Sequence, residues 1–169
     1  MLMDIEIAKR IYVLLRDQGY DKANGMFYFE MVMKYAVCDK FFCDMAIWFP
    51  NYKQLVGIEL KDWAKPVPPS VIQDHYQAYS RVFDYFYIAA PNFSKKTLEQ
   101  LIDTNIGVIV MDDPYWIDSP PRLNRVYSSD HADFRRRLDN NWNKHNKRLM
   151  ETYGDVFLPG EPEPQQRLP

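Results

Sequence analysis

Residues 41–61, FFCDMAIWFPNYKQLVGIELK, constrain the fold more than any other stretch of the chain. Two apolar runs, 41–49 and 54–61, flank a polar turn at Pro50–Lys53, the signature of a β-hairpin. A two-residue loop at Asn51–Tyr52 sets Asp44 directly opposite Glu59, and side-chain alternation puts Lys61 on the same face. Met45, Ile47, Phe49, Val56, Ile58 and Leu60 line the other face as a continuous core surface. Like charges directly across an antiparallel pair destabilise it, and carboxylates are rarely buried uncompensated. A divalent cation would compensate them, because Mg²⁺ takes carboxylate and water oxygens. The alternative is an outer, solvated face on which Lys61 makes an ordinary ion pair.

The chain of 169 residues suffices for one domain with a real core, and its 15% aromatic content argues against global disorder. Met1–Ile7 lacks the basic start and long apolar run of a signal peptide, and no stretch reaches membrane-spanning length. Cys38 and Cys43, without nearby His or Cys partners, fit neither a zinc site nor a disulfide framework. These features point to a soluble, intracellular protein with no membrane partner. The net charge of −2 is unevenly spread: residues 122–148 hold 8 Lys and Arg against 3 Asp and Glu. Overall acidity therefore does not argue against a nucleic-acid partner.

Taken in order, the chain opens with a helix over 2–18, in which Ile7, Ala8, Ile11, Leu14 and Leu15 recur at helical spacing before Gly19. Glu6 falls off that stripe; it either reaches toward the hairpin or is an exposed acid favoured by the helix dipole. Residues 26–37 read as a strand with Glu30 off the apolar set, so 26–61 forms a three-stranded antiparallel meander. Pro66, Pro68 and Pro69 break regular structure before a helix over 71–84 capped by Ser70. Ile72, His75 or Tyr76, Tyr79, Val82 and Phe83 form its core stripe, and Gln73, Gln77, Ser80 and Asp84 a polar one. A strand at 85–90, a helix capped by Ser94 and running to Thr104, and a strand at 107–111 buried on both faces complete the core. Strand–helix–strand order predicts a parallel pair. Pro114, Pro120 and Pro121 then mark an irregular connection to a last helix over 132–153, with Asp130 as its cap. That helix carries Arg135, Arg136, Arg137, Lys144, Lys147 and Arg148 around Trp142, which suits a phosphate backbone or, alternatively, a solvated charged face. The expected units are a core over 1–112, an extension over 113–153 and a disordered tail over 154–169.

Helix, three-strand meander, helix, strand, helix, strand is similar to the restriction-endonuclease-like core of the PD-(D/E)xK nuclease superfamily, an α/β (α+β) fold of αβββαβαβ order with a mixed central sheet flanked by helices. Asp44 matches the motif's Asp on the second strand, and Glu59-Leu60-Lys61 its E-x-K on the third. Cys43 stands where many members have Pro, and Tyr76 and Tyr79 follow Gln73 at spacings that depart from Q-x-x-x-Y. The stretch QDHYQAYSRVFDYFYIAAP also resembles the helix–strand joint of DNA-repair members such as the MmcB-like and archaeal Holliday-junction-resolvase groups.

The resemblance implies a Mg²⁺- or Mn²⁺-dependent hydrolase of DNA phosphodiester bonds, serving repair, recombination or restriction. Asp44, Glu59 and the Leu60 carbonyl would hold the metal, with Glu6 or Glu30 as the upstream carboxylate. Lys61 would orient or help deprotonate the attacking water, and Gln73 would position that water or a phosphate oxygen. RNA is a less favoured substrate, and the resolvase-like relatives imply a homodimer. Two other readings compete: a catalytically inactive nucleic-acid-binding or assembly protein on the same fold, and a protein–protein module built on the Tyr- and Trp-rich surfaces.

Overall fold

The computed structural model describes residues 5–19, 26–33, 41–49, 52–124 and 136. Helix α1 (Ile5–Asp17) precedes strands β1 (Met26–Met33), β2 (Phe41–Phe49) and β3 (Gln54–Leu60). A π-helical stretch, Val71–Tyr76, continues directly into α2 (Gln77–Ser80). Then follow β4 (Tyr85–Ala90), α3 (Lys95–Ile102), β5 (Gly107–Val110) and β6 (Trp116–Ser119). All six strands form one sheet in the order β1-β2-β3-β4-β5-β6. β1, β2 and β3 pair antiparallel, β3, β4 and β5 parallel, and β6 closes the sheet antiparallel to β5. The fold is thus α/β, with a mixed central sheet flanked by helices.

The β2–β3 register runs from Met45↔Ile58 to Phe49↔Gln54, as the hairpin sequence requires. Both faces of that hairpin are covered, which removes the solvated-face alternative. One face carries Met45, Ile47, Phe49, Val56 and Ile58 and packs against Ala8, Ile11 and Leu15 of α1. The other carries Ala46, Trp48 and Leu55 and lies under Ile72, Tyr76, Val82, Phe83 and Leu101. Helices on both sides explain why β4 and β5 are continuous apolar runs rather than alternating ones. Gly19, at φ 96°, ends α1 in a left-handed conformation that suits glycine.

Four expectations need correction. Ser70 is itself helical and makes no side-chain cap. The second helix ends at Ser80, and Ser80 and Asp84 are buried instead of forming a polar stripe. Gln77 N–H bonds the carbonyl of Ile72, five residues back, so the wider π turn shifts the helix out of a 3.6-residue count. Asp84 anchors the sheet: its Oδ2 accepts from Leu55 N–H at 2.6 Å and its own N–H donates to Leu55 O at 2.8 Å. The fourth correction is β6, which falls inside the stretch expected to be irregular; prolines are tolerated at the ends of an edge strand. Ser94, in contrast, caps α3 as expected, accepting from Thr97 N–H at 3.1 Å.

The sheet continues past residue 112 through β6, and the chain is then latched to the end of α2. Asn124 Nδ2 donates to Ser80 O at 2.7 Å and Phe83 O at 3.2 Å, and its N–H to Asp84 O at 2.9 Å. No helix among the described residues is long and apolar enough to cross a membrane.

A Cβ at Gly57 would lie 2.6 Å from Cε1 and Cζ of Phe83, whose ring is stacked on Phe86 at 5.4 Å. Both rings are fully buried, so the clash has no easy relief. Gly57→Ala is expected to destabilise the fold by about 1–3 kcal/mol. Urea titration checks this, and Phe83→Leu in the same chain is expected to return part of the loss.

Candidate active site

The β2–β3 ladder stops at Met45↔Ile58, and the next pair, Asp44 and Glu59, replaces it with side-chain bonds. Asp44 N–H donates to Glu59 Oε1 at 3.2 Å, and Leu60 N–H donates to Asp44 Oδ2 at 2.8 Å. Each carboxyl group thus satisfies a backbone donor exposed where the strands part. Lys61 Nζ lies 3.8 Å from the other Glu59 oxygen, Oε2. Glu59 is only 4% exposed and Asp44 half-buried, while the Lys61 side chain keeps 33% of its surface open. The group is therefore closed on the Glu59 side and reachable past Lys61.

Burial, reinforced by the charge of Asp44, pushes the Glu59 carboxyl up to about 8, against the pull of Lys61 and of the Asp44 N–H. A hydrogen bond between the two carboxyl groups favours the protonated form further. Burial alone would lower the Lys61 ammonium. It is outweighed by the hydrogen bond and charge of Tyr76 and by the charges of Glu59 and Asp44, which together hold Lys61 above its ordinary value. Tyr76 is 6% exposed, its ring centroid lies 5.4 Å from Lys61 Nζ, and Trp63 meets it edge-on at 5.2 Å. Trp63 in turn packs edge-on against Phe93. An aromatic wall thus fixes the helix-side partner of the lysine.

The structure brings Asp44, Glu59, Lys61 and the Leu60 backbone together. Glu30 lies in β1 between the pairs Phe29↔Met45 and Met31↔Cys43, so its backbone falls opposite Asp44, and its side chain lies outside the described residues. Glu6 is not part of the group. Its helix covers the opposite face of the sheet, and its exposed carboxylate pairs with Lys9 at 3.3 Å. Gln73 is exposed, and no hydrogen bond among the described residues joins it to the trio. Tyr76 takes the position on the helix that the sequence reading gave to Gln73. Only its spacing from the Glu59–Lys61 strand end hinted at this, because an apolar stripe accounts for a buried Tyr equally well. Of the expected basic helix only Arg136 is described, helical and exposed. Arg135, Arg137, Lys144, Lys147 and Arg148, like the 154–169 tail, lie outside the described residues.

No family model, curated protein or solved structure matches the chain. The chemistry has to be read from the site itself. Two carboxyl groups in contact, one forced toward its protonated form, offer oxygen ligands whose mutual repulsion a cation relieves. Among the described residues no group of three or more His, Cys, Asp or Glu side chains converges.

The Glu59 shift has a thermodynamic consequence. Its folded-state value lies above its unfolded one, 4.5 against about 8, so the folded chain holds the extra proton between them. Stability from this group is complete below about pH 4.5, falls as pH rises and levels off above about 8, by roughly 1.4 kcal/mol per unit. Lys61 stays charged across that window. Without divalent metal, the melting temperature of the wild type is expected to fall from pH 5 to pH 8.5 relative to that of Glu59→Gln. Scanning calorimetry of both proteins across that range checks it.

Proposed function

We propose that this protein is a metal-dependent nuclease of the restriction-endonuclease-like, PD-(D/E)xK type, acting on DNA in repair, recombination or restriction. The observation that carries the reading is the contact between Asp44 and Glu59 at the end of the hairpin ladder, with Lys61 3.8 Å from Glu59. The element order, helix, three-strand meander, helix, strand, helix, strand, supports it as well.

Mg²⁺ or Mn²⁺, when bound, would make a nucleophile of water near neutral pH and offset charge building on the phosphate. Asp44 and Glu59 would hold it with their remaining oxygens, since Asp44 Oδ2 and Glu59 Oε1 are already engaged by backbone N–H groups. The Leu60 carbonyl is a candidate further ligand, and Glu30, by its register, a candidate fourth. Lys61 is held protonated, so it would act as donor and positive charge toward the attacked phosphate and the water, not as the base. Tyr76 would position that ammonium from the helix side. DNA is the favoured substrate over RNA, and a homodimer remains part of this reading.

Purified protein incubated with labelled linear, single-stranded and branched DNA is expected to cut in Mg²⁺ or Mn²⁺ and not in EDTA. Asp44→Asn and Lys61→Ala are each expected to reduce cutting at least about 100-fold, the usual scale for removing a group that stabilises the transition state. Binding without cutting by all three proteins, in every metal, would instead support the inactive nucleic-acid-binding reading.

A further inference from the structure

The loop after Lys61 is stitched to the start of α3. Trp63 and Phe93 form a parallel bridge, Ser94 N–H donates to Trp63 O at 3.0 Å, and Val67 N–H donates to Thr97 Oγ1 at 3.1 Å. Residues 63–67 therefore run alongside 93–97. Lys65 sits between the two tethers, in the segment that runs alongside the one carrying Lys95 and Lys96. All three lysines are exposed, and among the described residues no ion pair joins any of them to an acid.

Their placement runs against local electrostatics. The first turn of α3 holds two lysines and no acid, at the end where the helix dipole is positive and carboxylates are favoured. Lys65 adds a third cation beside them. Clustered like charges at the wrong end of a helix cost stability, and such local conflicts concentrate at functional sites. Nothing in the packing requires them: Thr97 and Leu101 make the buried contacts of α3, and Ser94 already caps it. A polyanion would turn the conflict into attraction.

We propose that Lys65, Lys95 and Lys96 form a contact for the phosphate backbone of DNA beside the Asp44–Glu59–Lys61 group. The inference rests on the nuclease reading and adds where the substrate strand runs. Lys65 is four residues from Lys61, a reach of at most about 14 Å along extended chain, or about four nucleotides of strand. The strand that reaches Lys61 thus passes over the 61–67 loop and the start of α3. This contact comes from the core itself, independently of the basic segment at 122–148.

Fluorescence anisotropy with a fluorescein-labelled oligonucleotide, single-stranded and duplex, in EDTA across a series of KCl concentrations tests this. In Lys65→Ala/Lys95→Ala/Lys96→Ala, the slope of log affinity against log salt is expected to fall by two to three contacts, about 0.7 each for single strands and 0.9 for duplex. Affinity at fixed salt is expected to drop at least tenfold. The melting temperature is expected to hold or rise, because cations leave the positive end of α3; Lys95→Glu/Lys96→Glu is expected to raise it further while weakening binding more. Unchanged slope and affinity in both variants, in a wild type that binds and cuts DNA, would overturn the inference and leave the nuclease reading standing. A wild type that neither binds nor cuts would overturn both.

Discussion

Where β2 and β3 part, the backbone loses its ladder partners and two carboxyl groups take their place. The rest of the site depends on this exchange. A strand end that was merely frayed would leave Asp44 and Leu60 N–H groups to water, and the carboxylates would be free to separate. Instead each carboxyl group is pinned by the neighbouring strand, so the two negative groups stay together although repulsion and burial both oppose it. Holding them there costs stability, and the cost appears as the Glu59 proton. On the proposed function, a divalent cation would take the place of that proton.

The helical layer over that face turns a charged strand end into a one-sided site. Phe83 fills the space left by Gly57 and seats the helix end against the sheet, while Asn124 ties the same end to the chain beyond β6. One turn before the end of the helix, Tyr76, with Trp63 from the preceding loop, walls in Lys61. Glu59 is thereby closed off, while Lys61 and Asp44 remain at the opening. Small motions of the helix would change the Lys61–Tyr76 contact before they changed the carboxylate pair, which is fixed by strand backbone.

The parts legible in the sequence were those decided by short-range chemistry. Hairpin register follows from the turn and the alternation, so the pairing of Asp44 with Glu59 could be placed before any coordinates. The Ser94 cap and the buried runs of β4 and β5 are equally local. Tertiary packing decided the rest. Whether the carboxylate face was covered depended on how the helix that follows β3 folds back over the sheet. The π turn at Val71–Tyr76 shifted the helix phase, which hid the burial of Ser80 and the approach of Tyr76 to Lys61, and Asp84 lies past the helix end, where it bonds Leu55. β6 is too short, and too closely bracketed by proline, for its alternation to stand out. Glu6 and Gln73 were plausible by position on their helices, but α1 lies on the far face and Gln73 points to solvent.

The central claim is that Asp44 and Glu59 hold a divalent cation in place of the shared proton. Isothermal calorimetry of Mn²⁺ binding at pH 7, in two buffers of different ionisation enthalpy, measures the exchange directly. The account predicts release of about one proton per cation bound, abolished in Glu59→Gln. Binding with no proton release, or no binding to the wild type at all, would contradict it.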